Sequence, residues 1–275
     1  HELYNSRSAK NGEGFVYKAW EIPTELSDTS FLADRAASDL QNATEPFFMH
    51  ISFLRPHPPL FVSEPWHSLI DPKNIKPPIT HNTKQEMTNH HPVLKNMMAK
   101  YDEKNSYPME INFPELTNQD ISRIQAVYLG MCAEVDSNIG KILQALDDSG
   151  QADNTMVVFT SDHGEMLGDN WQWGKVGWWD QSYRIPLIVH MPNCKGQLID
   201  QMTESVDLAP TIIDWLGGNI PADWNGRSLL SIVGNTQPQL PPRDFVVFEW
   251  DFREHYYTDF VEKSELAPEE CNLAV

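Results

Sequence analysis

Val157-Val158-Phe159-Thr160-Ser161-Asp162-His163-Gly164-Glu165 is the stretch whose reading decides the fold. An apolar, β-prone run stops at adjacent Asp and His with Gly directly behind, which predicts a buried strand carrying two metal-binding side chains at its tip. Open α/β sheets keep their chemistry at such strand ends. Asp162 offers a hard oxygen and His163 a borderline nitrogen, a mixture that suits Mn²⁺, Zn²⁺ or a tolerant Mg²⁺/Ca²⁺ site. Two ligands do not hold a catalytic metal alone. Gly164 is read as permitting a sharp turn, and Lys175 as a compact point charge for an anionic oxygen. The dipeptide also has a plain reading, in which Asp162 caps a helix start and His163 is an ordinary surface imidazole.

Outward from this point, strands and helices alternate, the pattern of a mostly parallel sheet covered on both faces by helices. Asp28 or Thr29 is expected to cap a helix through about Leu40, and Phe47 to Phe53 reads as a buried strand. Residues 55–114 are rich in Pro, Asn, His and Met with little periodicity, as expected of an active-site wall or an oligomer contact. The clearest helix starts at Thr117 or Asn118. Its apolar residues Ile121, Ile124, Val127, Met131, Val135, Ile139, Ile142 and Leu146 recur every three or four positions until Gly150 stops it, and it is expected to pack beside the strand Thr155 to Thr160. Ile185 to His190 reads as a strand and Asp207 to Leu216 as a helix with Pro210 in its first turn. A last strand is expected from Phe245 to Trp250. Two domains follow, residues 1–235 and the start of a C-terminal subdomain at 236–275.

Composition bounds the function. The chain has 275 residues, 40% of them hydrophobic, enough for one large α/β core. Its 39 acidic against 20 basic residues give a net charge of −19, which argues against nucleic acid or an anionic membrane as partner. No apolar run approaches the roughly 20 residues of a membrane span. Cys132, Cys194 and Cys271 lack tight spacing and read as reduced, structural thiols in place of a disulfide framework or a zinc site. A cytoplasmic setting is weakly favoured, any N-terminal targeting signal lying ahead of His1. His50, His67, His81, His90 and His91 lack metal spacing and are read as surface or loop residues.

Several segments together resemble one family. Thr160 to Asp169, then Gly174-Lys175, then Ser182-Tyr183-Arg184-Ile185-Pro186-Leu187-Ile188, are similar to the second half of the metal site of type I sulfatases, nearest the phosphonate monoester hydrolase and arylsulfatase branch of the alkaline phosphatase superfamily. Phe53-Leu54-Arg55-Pro56-His57-Pro58-Pro59 resembles that family's strand-end His-Pro motif, and Cys132 to Gly140 its long central helix. Ser205 to Ile212 with Asn225 to Leu230, and Val247 to Arg253, resemble its later segments in the family's order.

The resemblance implies an alkaline-phosphatase-like α/β fold and a metal-dependent hydrolase of sulfate, phosphate-diester or phosphonate esters. It implies Asp162 and His163 as ligands of one divalent ion, Mn²⁺ or Ca²⁺ ahead of Mg²⁺ or Zn²⁺. Lys175 would bind a non-bridging or leaving-group oxygen, and His57 would donate to the leaving group. Trp171, Trp173 and Trp178, with Trp179, crowd around Lys175 and are read either as a stacking surface for a flat ester group or as loop packing. Arg184 is read as a structural ion pair. The family's first metal-binding Asp and its Cys-x-Pro-x-Arg nucleophile motif, whose Cys becomes formylglycine, are not in this sequence. None of the three cysteines has Pro two residues on and Arg four residues on. The chain is therefore expected to be a fragment, aggregation-prone and catalytically silent alone, of a parent enzyme acting on a small-molecule ester, with no nucleic-acid or membrane partner and homo-oligomerisation open. Two alternatives remain at this stage: a two-metal phosphodiesterase or phosphomutase relative, against which Lys175 argues, and a non-catalytic binding or assembly protein descended from the family.

Overall fold

The structure is a computed structural model describing residues 16–44, 46–80, 83–89, 91, 94–95, 98–99, 116–175, 177–234, 241–251 and 272–274. Within it the chain divides into two compact units. One comprises His1–Gln151 with Glu165–Gly177, the other Ala152–Gly164 with Trp178–Val275. The domain boundary read at 235/236 falls outside the described residues.

The first unit is built on helices. α1 (Asp28–Asn42) is capped by Ser27, whose hydroxyl accepts the Ser30 N–H at 3.1 Å. The expected caps were Asp28 and Thr29; Asp28 instead turns its carboxylate toward Arg55, 3.5 Å away. α2 (Trp66–Leu69) and α3 (Lys84–Thr88) are short, and α3 starts with a capping box between Thr83 and Glu86. Part of the 55–114 segment is thus helical despite its aperiodic sequence, because local capping supplies order that periodicity does not reveal. It is also anchored, since Leu60, Phe61, Val62 and Met87 are buried.

α4 (Asn118–Asp148) is the long predicted helix. Thr117 caps it through a reciprocal box with Asp120, and left-handed Gly150 follows its last turn. Ile124, Val127 and Met131 lie fully inside the core with Val16, Leu60, Val62 and Trp173, each such side chain contributing about 1.5–3 kcal/mol by leaving water. α4 packs on α1 and α2.

The second unit holds the strands β1 (Val157–Thr160) and β2 (Leu187–His190), paired antiparallel with Thr160 opposite Leu187 and Phe159 opposite Ile188. The short helix α5 (Asp180–Tyr183) precedes β2. A one-turn 3-10 segment Ser205–Asp207 leads into α6 (Leu208–Trp215), and α7 (Leu230–Val233) follows. β3 (Glu249–Asp251) pairs antiparallel with β4 (Asn272–Ala274). The two strand pairs among the described residues are antiparallel, and Trp20 pairs with Ser63 in a single parallel bridge.

Residues 46–54, in the first unit, form no helix or strand among the described residues. Their side chains alternate: Phe47, Met49, Ile51 and Phe53 are half-buried, while Phe48 and Leu54 are 74% and 62% exposed. The strand expected at Phe47 to Phe53 is not assigned there, and in place of full burial the side chains alternate between half-buried and exposed, the period of two that a β-type segment has.

Asp207 organises the second unit. Its carboxylate accepts the backbone N–H of Arg227 and of Glu204, both at 2.9 Å, and a fork from Arg243. Thr211 donates to the Asp207 carbonyl and accepts the Leu229 N–H. Two sequence segments with no local link are thereby stapled together.

Candidate active site

β1 delivers Ser161, Asp162 and His163 at its C-terminal end. The Asp162 side chain is 86% exposed and His163 is half-buried beside it. Asp162 Oδ1 accepts the His163 backbone N–H at 2.9 Å, which turns the carboxylate toward the ring. His163 Nδ1 lies 2.8 Å from the Gly164 carbonyl, a group that only accepts, so Nδ1 carries the proton and the Nε2 lone pair is left outward. Nε2 then faces Asp162 Oδ2 at 3.4 Å. In the neutral ring, two electron pairs confront each other with no proton between them. A cation relieves that arrangement, and metal–ligand bonds of about 2.0–2.2 Å to both atoms are compatible with this spacing. A backbone carbonyl fixing the far nitrogen is also how metal-ligating imidazoles are held. The pair therefore suits one divalent ion. Among the described residues, no group of three or more His, Cys, Asp and Glu side chains gathers to hold a metal by itself.

Gly164 has a different purpose from the sharp turn expected of it. Its N–H donates to the Ser182 carbonyl at 2.7 Å, and a Cβ there would stand 1.9 Å from the Gln181 carbonyl oxygen. The backbone of α5 passes too close for any side chain.

Lys175 and His57 belong to the first unit. Lys175 is exposed, and its ammonium makes no hydrogen bond or ion pair among the described residues. The half-buried carboxyl of Glu165 is near enough to feel its charge; desolvation pushes that carboxyl up, against hydrogen bonds from the amides of Leu167, Gly174 and Met166 and then the pull of Lys175. His57 is exposed at the tip of a proline-bounded loop, with Nδ1 2.6 Å from the Pro58 carbonyl. That bond puts the Nδ1 proton on the loop and leaves Nε2 facing outward, a donor when the ring is protonated.

Arg55 underpins this loop. Its guanidinium donates to the Phe61 carbonyl, lies 4.6 Å from the Phe61 ring and 5.6 Å from Trp20, and reaches Asp28 and Glu134 at 3.5 and 3.8 Å. In the sequence Arg55 is marked as a charged residue directly before a Pro-His pair at the end of an otherwise apolar stretch.

The tryptophans separate. Trp173 is 5% exposed and fills the core between α4 and Val16, which removes it from the proposed stacking surface: the loop turns it inward. Trp171 is exposed, with a left-handed backbone. Trp178 lies in the second unit, stacked on Trp179 at 5.7 Å. His67, read as a surface residue, is buried on α2 with Nε2 3.2 Å from the Val16 carbonyl. Arg184 forms an exposed ion pair with Asp180 at 4.0 Å, the structural contact expected of it. Cys132 is half-buried on α4, and burial pushes its thiol up to about 11, as suits an inert core residue. His81, His90 and Cys271 lie outside the described residues.

Residues 4–218 match the family model described as Sulfatase, more than half of the chain. The chain belongs to the sulfatase family. Among curated relatives of this sulfatase chain, the multifunctional alkaline phosphatase superfamily protein PehA of Trinickia caryophylli is 34% identical over 267 residues, covering 95% of this chain and 52% of that protein. Arylsulfatase K of Xenopus laevis is 32% identical over 80% of the chain and 41% of its own length. Among solved structures, the phosphonate monoester hydrolase of Agrobacterium radiobacter superposes with a TM-score of 0.88 at 32% identity, over 100% of this chain and 55% of that one. The phosphonate monoester hydrolase from Silicibacter pomeroyi gives 0.86 at 34% identity, over 99% and 54%. The fold is thus the α/β fold of the alkaline phosphatase superfamily, whose enzymes are metal-dependent. The sulfatase chain spans about half the length of the relatives it matches.

Proposed function

We propose that this chain carries part of the catalytic machinery of a metal-dependent ester hydrolase acting on sulfate monoesters, phosphate diesters or phosphonate monoesters. The observation that carries the reading is the Asp162–His163 pair, an exposed carboxylate and an imidazole lone pair 3.4 Å apart at the end of β1. In this reading both are ligands of one divalent ion, Mn²⁺ or Ca²⁺ by preference. Bound there, the ion supplies Lewis-acid polarisation of the ester and of the attacking oxygen.

Lys175 takes an anionic oxygen of the substrate, and its charge counts most where negative charge grows in the transition state. His57, protonated, donates from Nε2 to the departing oxygen. Exposed Trp171 offers a flat face to an aryl group. The three ester classes share a tetrahedral centre with a single negative charge. One lysine and one metal suit that charge on a protein whose net charge of −19 repels anions at long range. The family reading also implies a formylglycine nucleophile, for which Cys132, Cys194 and Cys271 lack the surrounding motif.

The test is turnover by the full natural protein of an aryl sulfate, an aryl phosphate diester and an aryl phosphonate monoester, with and without chelator. Chelator-sensitive hydrolysis supports the reading and the preferred ester names the branch. Binding of metal without turnover of any ester would favour a non-catalytic relative, and two metals per chain a phosphodiesterase-type site.

A further inference from the structure

Between His163 and Lys175 the backbone is unusual. Leu167, Asn170 and Trp171 hold left-handed φ angles of 47°, 49° and 63° although none is glycine, and Gly168 and Gly174 adopt 95° and 77°. Such conformations persist only where the surroundings over-determine them. Here they are fixed from inside and outside. From inside, Glu165 Oε1 accepts the N–H of Leu167 at 3.2 Å and of Gly174 at 2.6 Å, closing the loop at its base. Met166 N–H donates to the Gly174 carbonyl, and Gly168 N–H to the Gln172 carbonyl, both at 2.8 Å. From outside, Gln125 on α4 donates to the Leu167 carbonyl at 2.9 Å, and Ile79 exchanges bonds of 2.8 Å with Asn170 and Asp169.

The carboxylate of Glu165 is thus the side chain that spans the loop at its neck, and the residue after the bonded Gly174 is Lys175. We propose that Glu165 is a positioning residue for Lys175: by accepting the Leu167 and Gly174 amides it fixes the loop that presents the ammonium to the substrate anion. The role of Lys175 in this statement rests on the hydrolase reading above. The clamp itself does not. Glu165 has to be an acceptor with two carbon atoms between carboxyl and Cα, so glutamine replaces it in this role and alanine does not.

The experiment uses the full natural protein and four variants: Glu165→Ala, Glu165→Gln, Lys175→Ala and the double variant Glu165→Ala/Lys175→Ala. Glu165→Ala is expected to lose on the order of 100-fold in kcat, as misplacement of a reacting group by about an ångström does, with KM changed far less. Glu165→Gln is expected to keep kcat within a few-fold of wild type. In the Lys175→Ala background, Glu165→Ala is expected to cause no further loss, because its effect passes through the lysine. Losses that multiply overturn the inference, and so does a Glu165→Gln variant as impaired as Lys175→Ala. That last comparison decides the matter if Glu165→Ala does not fold. Hydrogen exchange at the Gly174 amide, read without any substrate, is expected to be fast in Glu165→Ala and slow in Glu165→Gln. Protection unchanged in Glu165→Ala overturns the clamp on its own. Wild-type protein that turns over no ester overturns the hydrolase reading and the lysine's role, while the exchange result still reports on the clamp.

Discussion

At the scale of single residues, Gly164 gives the sharpest expectation. A methyl group there would meet the Gln181 carbonyl at 1.9 Å, so Gly164→Ala must push β1 and α5 apart. Overpacking of this kind costs about 1–3 kcal/mol, and the displaced neighbour is His163. The variant is expected to show a lower thermal midpoint together with weakened metal binding, measured by calorimetry of unfolding and of metal titration. Lys175→Ala is expected to lower kcat/KM by roughly 10²–10³, the cost of removing one group that stabilises developing charge, without lowering the thermal midpoint, because the ammonium is exposed. Asp162, His163 and Lys175 can be singled out in the sequence because the chemistry proposed for them is intrinsic to their side chains. What sequence could not convey is why Gly164 is glycine, or that Trp173 turns inward. Both depend on which distant backbone comes near, a tertiary fact with no local signature.

At the scale of elements, α4 was readable because a 31-residue amphipathic period and a cap at Thr117 act locally and agree with each other. The strands were less so. Apolar runs locate β1 and β2, but pairing partner and direction are set by residues far along the chain, and the described ladders came out antiparallel. The bonds that tie Asp207 and Thr211 to Arg227, Leu229 and Arg243 left no mark in the sequence beyond ordinary polar and charged residues. Burial alone would push the Asp207 carboxyl up, yet the hydrogen bonds of Arg243, and then of the Arg227 and Glu204 amides, outweigh it and hold it below the usual carboxylate range. A carboxyl depressed in the folded state contributes stability that is complete above its unfolded value near 4 and is lost as pH falls through the folded value. The second unit is therefore expected to lose stability on acidification below about pH 4. Arg243→Met, which leaves a buried carboxylate without its cation, is expected to cost about 3–5 kcal/mol at neutral pH and to weaken that acid dependence. Chemical denaturation of wild type and variant at pH 7 and pH 3 measures both.

At the scale of the whole molecule, large apolar side chains stand exposed. Phe48 and Leu54, and the facing pair Phe159 and Ile188 on β1 and β2, are among them. Large apolar side chains left in water favour association. Residues 1–275 expressed alone are expected to self-associate despite a charge of −19, and sedimentation velocity of a dilute sample checks this; a single sharp monomer boundary would contradict it. The fold class was legible because motifs along nearly the whole chain keep one family's order, and the match to the Sulfatase model over residues 4–218 agrees. The arrangement of functional groups in space was not, because it depends on loops whose conformations are fixed by long-range bonds such as Gln125 to the Leu167 carbonyl and Arg55 to the Asp28 carboxylate.

The most direct measurement is the metal content of the full natural protein, by elemental analysis after dialysis, beside Asp162→Ala and His163→Ala. One equivalent of a divalent ion in wild type, lost from both variants while their thermal unfolding stays cooperative, is the result predicted by the pairing of Asp162 Oδ2 and His163 Nε2. Metal retained undiminished in both folded variants would contradict it.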